Sequence, residues 1–294
     1  MAYELKNGKG YEKRYYSDKK LYFEGEFLNG ERNGKGKQYD YDGNLTFEGE
    51  YLNGLRNGKG KEYDYDGFLI FEGEYINGLR NGKGKEYYNH GKIRFEGEYL
   101  NGLWNGKGKE YNFYGELIFE GHYKNEKRNG KGKEYDNEGN LIFEGEYKDN
   151  ERYFGIIKEF YENGNLLYEG EFIKGNWNGK GKEYYEDGVL KYEGDYINGK
   201  WNGQGKKYDN YGDPIYEGEF IKGERNGKGK EYYEDGVLKY EGNYINGKWN
   251  GEGKEYDSFG YLKHEGEFLN GHWEDEEKEN DDENEEEYQS DEYY

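Results

Sequence analysis

Residues 69–92 read Leu-Ile-Phe-Glu-Gly-Glu-Tyr-Ile-Asn-Gly-Leu-Arg-Asn-Gly-Lys-Gly-Lys-Glu-Tyr-Tyr-Asn-His-Gly-Lys. Leu69, Phe71, Gly73 and Tyr75 share one parity, and Glu72 and Glu74 the other. That alternation is the period of a strand with one apolar and one polar face. Asn77-Gly78 and Asn81-Gly82 bracket a loop, Lys83 to Tyr88 reads as a second strand, and a glycine turn closes the unit. The expected unit is therefore a β-hairpin joined to its neighbour by a short turn. No segment carries a helical apolar period.

The same unit recurs along the chain. Its Glu-Gly pair returns at Gly25, Gly49, Gly73, Gly97, Gly121 and Gly145, then at Gly170, Gly194, Gly218, Gly242 and Gly266. The step is 24 residues throughout, except for one of 25 between Gly145 and Gly170. A fixed period of that size is the mark of a repeat array. Three aromatic columns keep the same step. The first starts at Phe23, Phe47 and Phe71 and is broken by His264; the second starts at Phe27, Tyr51 and Tyr75, and the third at Tyr39, Tyr63 and Tyr87. A single hairpin is marginal in water, but stacked hairpins share a continuous aromatic layer. The fold class expected is all-β: an elongated, single-layer antiparallel sheet of stacked hairpins. Residues 1–20 read as a partial, capping repeat and 21–273 as an array of ten to eleven repeats, irregular near 146–169. Residues 274–294 read as an acidic, disordered tail.

Composition narrows the function. Only 31% of the 294 residues are hydrophobic and 37% are charged, but 20% are aromatic, enough to build a thin core. Net charge is −22; Glu274–Tyr294 carries 13 acids and one base, leaving 52 acids against 42 bases in the body. Such a body is a poor partner for nucleic acid, which needs a clear basic excess. The chain has no cysteine, no apolar leader in its first ten residues and no apolar run of membrane-spanning length. The expected location is cytoplasmic, or peripheral to a membrane.

The run Phe71-Glu-Gly-Glu-Tyr-Ile-Asn-Gly-Leu-Arg-Asn-Gly-Lys-Gly84 resembles the MORN repeat, and the resemblance extends from residue 21 to about 273. The stretches 185–200 and 233–248 are also similar to the antitoxin-like variant of that repeat. The resemblance implies an antiparallel sheet that scaffolds proteins or associates with membranes, and no enzymatic activity. The variant adds the reading of an antitoxin-like inhibitor that binds a toxin protein.

A residue type that recurs in every repeat is structural first, so candidate sites lie where the pattern changes. One column alternates between two flat side chains, Arg56, Arg80, Trp104, Arg128, Trp177, Trp201, Arg225 and Trp249. Placed in the hairpin loop, it forms a row along one edge, for packing or for partner recognition. The repeat after Gly145 loses its Asn-Gly-Lys-Gly and gains Tyr153, Phe154, Ile156 and Ile157. Phe154 there is a candidate contact for a protein partner or a second copy. A lysine row, Lys59, Lys83, Lys107, Lys131 and Lys180, is the candidate surface for anionic lipid. Against it stand the glutamate rows: if Glu74 faces Lys83 and Glu72 faces Lys85 across the hairpin, both are spent on each other.

Chemical sites are not legible. Gly-Lys-Gly-Lys lacks the spacing and following Ser or Thr of a phosphate loop. The four histidines lie in different repeats, and three serines with one threonine make no nucleophile constellation. No metal, cofactor or catalytic residue is expected. The leading expectation is a non-enzymatic scaffold acting through an aromatic-rich surface, as a monomer or homodimer.

Overall fold

The computed structural model describes residues 8–274. Among them are 23 strands and no helix. The chain falls into two units, residues 1–157 and 158–294. The first holds β1 (Lys9–Tyr15), β2 (Leu21–Leu28), β3 (Glu31–Tyr39), β4 (Leu45–Leu52), β5 (Leu55–Tyr63) and β6 (Leu69–Ile76). It continues with β7 (Leu79–Tyr87), β8 (Ile93–Leu100), β9 (Leu103–Tyr111), β10 (Leu117–Lys124), β11 (Lys127–Tyr135) and β12 (Leu141–Lys148). The boundary falls within β13 (Glu151–Phe160). The second unit holds β14 (Leu166–Ile173), β15 (Asn176–Tyr184), β16 (Leu190–Ile197), β17 (Lys200–Tyr208) and β18 (Pro214–Ile221). It ends with β19 (Glu224–Tyr232), β20 (Leu238–Ile245), β21 (Lys248–Tyr256), β22 (Leu262–Leu269) and β23 (His272–Trp273). In each unit every strand pairs antiparallel with the strand next to it in sequence. β1 pairs antiparallel with β2 at the start of the array. The acidic tail expected at 274–294 lies, after Glu274, outside the described residues.

The hairpin is tighter than the sequence suggested. Strands β6 and β7 are joined by two residues only, Asn77 and Gly78, both with positive φ (50° and 87°). That is the type I′ geometry whose twist matches the strands, which is why Asn-Gly stands there. Asn81-Gly82 is not a loop; it lies inside β7, where the register shifts between Gly73 and Tyr75. The other connection is a five-residue turn. In residues 64–68, Asp64 Oδ1 accepts the N–H groups of Asp66 (3.1 Å) and Phe68 (2.8 Å), the side-chain-mimics-backbone turn that aspartate favours.

The two faces differ completely. On one, Phe47, Phe71 and Phe95 are fully buried, each edge-on to the second-column tyrosine of its own repeat and of the next. Phe47 meets Tyr51 at 5.5 Å and Tyr75 at 5.2 Å, within the range of favourable T-shaped pairs. Gly60 makes this possible, since a Cβ there would stand 2.3 Å from Phe47 Cζ. The third aromatic column does not join this layer. Tyr63 lies on the opposite face, where its hydroxyl donates to Glu48 Oε1 at 2.8 Å.

Candidate functional site

The Arg and Trp column lies in the strands, not in the loops, and covers the aromatic layer. Arg56 and Arg80 sit 4.2 Å above the rings of Phe47 and Phe71, and Arg128 and Arg225 lie over Phe119 and Tyr216. Trp104 stacks on Phe95 at 4.1 Å, and Trp177, Trp201 and Trp249 stack on Tyr168, Tyr192 and Tyr240. Guanidinium and indole also share one hydrogen-bonding role. Arg80 donates to Glu62 and Arg128 to Glu110, just as Trp177 donates to Glu159 (3.1 Å) and Trp201 to Glu183 (3.0 Å), each time the glutamate of the preceding repeat. A flat group with a donor on its edge meets both demands, so the two residue types alternate without disturbing the fold. Glu134 and Glu231 anchor the network. Burial pushes their carboxyls up, but Arg152 and Tyr147 around the first, and Arg225, Lys239 and Trp249 around the second, outweigh it and hold both below the usual carboxylate range.

On the opposite face of the first unit runs a trough of about 1580 Å³. Its floor is backbone: Gly49 lies opposite Gly60, Gly73 opposite Gly84, Gly97 opposite Gly108. Charged side chains two residues apart wall it on either side. One wall is fully paired. Glu48 accepts from Tyr63 and lies 3.6 Å from Lys37; Glu72 does the same with Tyr87 and Lys61, and Glu96 with Tyr111 and Lys85. Burial and the adjoining carboxylates push the Tyr63 phenol up to about 12. These ion pairs run to the preceding repeat, not across the hairpin: Lys61, rather than Lys85, is the partner of Glu72.

The other wall is different. Glu74 does not face Lys83, because the bulge shifts the register there; its Cα partner is Lys59 of the preceding repeat. Glu50 and Glu98 instead fold onto the bulge and accept the backbone N–H of Lys59 (3.2 Å) and Lys107 (3.1 Å). Lys59, Lys83, Lys107 and Lys131 therefore have no carboxylate within 4.0 Å among the described residues, while Lys180, in the second unit, pairs with Asp195 at 2.8 Å. One repeat apart means roughly 9.5 Å along the trough, two strand spacings. Beside this wall, the cross-strand pairs Leu52–Leu55, Ile76–Leu79 and Leu100–Leu103 leave six aliphatic side chains exposed at the hairpin ends.

The irregular repeat closes the trough. Gly155 keeps the glycine pairing with Gly145, and Ile157 is buried opposite Phe143. Phe154 and Ile156 stand opposite Glu146 and Glu144, where other repeats place lysine, and both are half exposed. Of the four apolar residues gained there, Ile157 fills the core and the other three, Tyr153, Phe154 and Ile156, remain at the surface.

Models of the MORN repeat match residues 23–45, 47–68, 71–92, 95–112, 192–212, 216–237 and 240–258. A MORN repeat variant model matches 128–149, 155–174 and 177–198. The variant thus matches both sides of the irregular stretch, leaving residues 150–154 out, and part of the 185–200 stretch, while 233–248 falls mostly to the ordinary repeat. No curated protein is detectably similar to the chain. Among solved structures, a crystal structure of TcdB2-TccC3-TEV aligns over 90% of this chain at 10% identity with a TM-score of 0.24. The Photorhabdus luminescens Tc holotoxin pore aligns over 88% at 12% identity and a TM-score of 0.19. The chain spans only 16% and 17% of those two, and likenesses so slight say nothing of its function. The repeat matches are another matter: with ten of them over more than half its length, the chain belongs to the MORN-repeat family.

Proposed function

We propose that this protein is a non-enzymatic repeat scaffold that captures a polypeptide partner along the trough face of its first unit. The observation that carries the reading is the contrast between the faces. The aromatic face spends its flat groups on one another, whereas the trough keeps five lysines without an ion pair among the described residues, Lys35 with the four above, beside six exposed aliphatic side chains and the half-exposed Phe154 and Ile156. Apolar groups framed by unspent charge are the makings of a recognition surface.

Affinity capture by the immobilised full chain tests this. Polypeptides retained by the wild type and lost from a Phe154→Ser/Ile156→Ser variant, with circular dichroism unchanged, are the expected result. Identical captured sets would refute it.

A second reading, peripheral contact with anionic lipid, draws on Lys59, Lys83, Lys107 and Lys131 having no ion pair among the described residues. It requires co-sedimentation with phosphatidylserine vesicles that fades with salt and is absent with phosphatidylcholine.

A further inference from the structure

The hairpin β10–β11 departs from its neighbours at three positions, all on the trough face. Where Glu50, Glu74, Glu98 and Glu146 recur, it has His122. His122 is the Cα partner of Lys107, and its Nδ1 lies 3.2 Å from the Lys131 carbonyl oxygen, to which it donates. Lys107 and Lys131 thus lose the carboxylate that elsewhere stands between successive lysines. Further along the same hairpin, Lys124 faces Lys127 where the three preceding hairpins pair aliphatic side chains. Two like charges directly opposite are destabilising. No carboxylate lies within 4.0 Å of any of these four lysines among the described residues.

Two of them, Lys124 and Lys131, border a depression in the surface. Shallow and open, with a volume of about 680 Å³, it shares His122, Lys131 and Glu146 with the trough and is lined also by Leu100, Asn105, Lys124 and Asn129. Amide side chains supply donors, Leu100 an apolar contact, and Glu146 is the one acid on the lining.

From this we infer that the β10–β11 hairpin is the docking point for an acidic polypeptide segment, whose carboxylates take the place of the acid missing at position 122 and neutralise the Lys124–Lys127 pair. The inference rests on the scaffold reading above and adds to it the chemistry of the partner.

The test uses the full chain and a fluorescein-labelled octaglutamate peptide, read by anisotropy in about 0.1 M salt, where charges beyond about 10 Å are screened. The comparison is a His122→Glu/Lys124→Leu/Lys127→Leu variant. Each substitution installs what neighbouring repeats already carry, so the hairpin keeps its fold. Binding by the wild type that weakens roughly tenfold or more in the variant is expected, as for the loss of several charge contacts. A control, Lys83→Ala, is expected to change it by less than about twofold, being a single exposed charge.

Equal binding by wild type and triple variant overturns the proposal, as does no binding by the wild type. So does binding of phosphatidylserine vesicles, lost in the triple variant, in the absence of peptide binding. Capture that depends on Phe154 is read separately, so the scaffold reading survives if only this inference fails.

Discussion

Gly60→Ala is the sharpest perturbation of this fold. Gly60 has no left-handed backbone, so alanine fits its dihedrals and even stiffens the unfolded chain, a gain of about 0.4–1 kcal/mol on its own. The obstacle is space. The new methyl carbon stands 2.3 Å from Phe47 Cζ, 2.6 Å from Cε2 and 3.1 Å from Cε2 of Tyr75. Carbon atoms rest at about 3.5–4.0 Å, so the Phe47 ring must retreat by more than about 1 Å. It has nowhere to go, being fully buried between Tyr51, Tyr75 and the guanidinium of Arg56. Overpacking of this kind costs about 1–3 kcal/mol, and contacts only between neighbours keep the damage local.

Urea denaturation followed by circular dichroism measures the loss, and hydrogen exchange by mass spectrometry places it. Faster exchange is expected in β4, β5 and β6. A double-mutant cycle isolates the cause: in a Phe47→Leu background the same Gly60→Ala change becomes cheaper, because the shorter side chain clears the methyl. Gly54→Ala is the contrast, with nothing within 4 Å of its Cβ but φ of 82°, so it bears only the left-handed backbone cost of about 1–2 kcal/mol. A Gly60→Ala protein within about 0.5 kcal/mol of wild type would refute the reasoning. So would an equal penalty in the Phe47→Leu background.

Other outcomes follow from the aromatic face. The Tyr75 hydroxyl is buried without a hydrogen-bond partner, so Tyr75→Phe is expected to be neutral or stabilising. Tyr147→Phe, which removes a 2.6 Å bond to Glu134, is expected to cost about 1.5–3 kcal/mol in urea denaturation. Trp104→Ala is expected to cost about 3–5 kcal/mol and Trp104→Arg well under half of that, because arginine restores both the stack and the donor. The carboxyls of Glu134 and Glu231 titrate lower in the folded protein than unfolded. Their contribution is complete above the unfolded value of about 4.3 and is lost as the pH falls through their lower folded values. A Glu134→Gln/Glu231→Gln protein should therefore show a shallower fall of the urea midpoint below about pH 4.5 than the wild type.

Much of the fold was legible because each repeat states it again. The alternation of Leu69, Phe71, Gly73 and Tyr75 names the buried face, and the matching step of the Glu-Gly pairs fixes the neighbours. The misreadings are local. Asn81-Gly82 looks like a turn signal, yet Asn77-Gly78 had already reversed the chain, so the second pair forms a bulge inside a strand. That bulge carried Arg80 from the supposed loop onto Phe71 and moved Glu74 away from Lys83. The third tyrosine column was readable by parity, since Tyr63 alternates in step with Lys61 rather than with Gly60, and it faces the trough accordingly. Counting aromatic residues as one layer hid that division.

The same periodicity explains why the candidate site was harder to see than the fold. Residues that return every 24 positions satisfy one another: Arg or Trp lies on the first ring and donates to a glutamate, and Glu48 holds Tyr63 and Lys37. Recognition in such an array resides in what the repeat leaves unsatisfied. Some of that is periodic, like Lys59 and Lys107, beside which Glu50 and Glu98 are spent on backbone N–H groups, an outcome decided by the bulge and invisible in the spacing of charges. The rest is a handful of departures; some, such as Asn243 in the acid column and His264 in the first aromatic column, lie in the second unit, and others gather in the first. His122, Lys124, Lys127, Phe154 and Ile156 all fall between residues 122 and 156, at one end of the trough. Within the first unit, that stretch brings a missing acid, a like-charge pair and two exposed apolar side chains onto adjoining hairpins, and the docking proposal above rests on it.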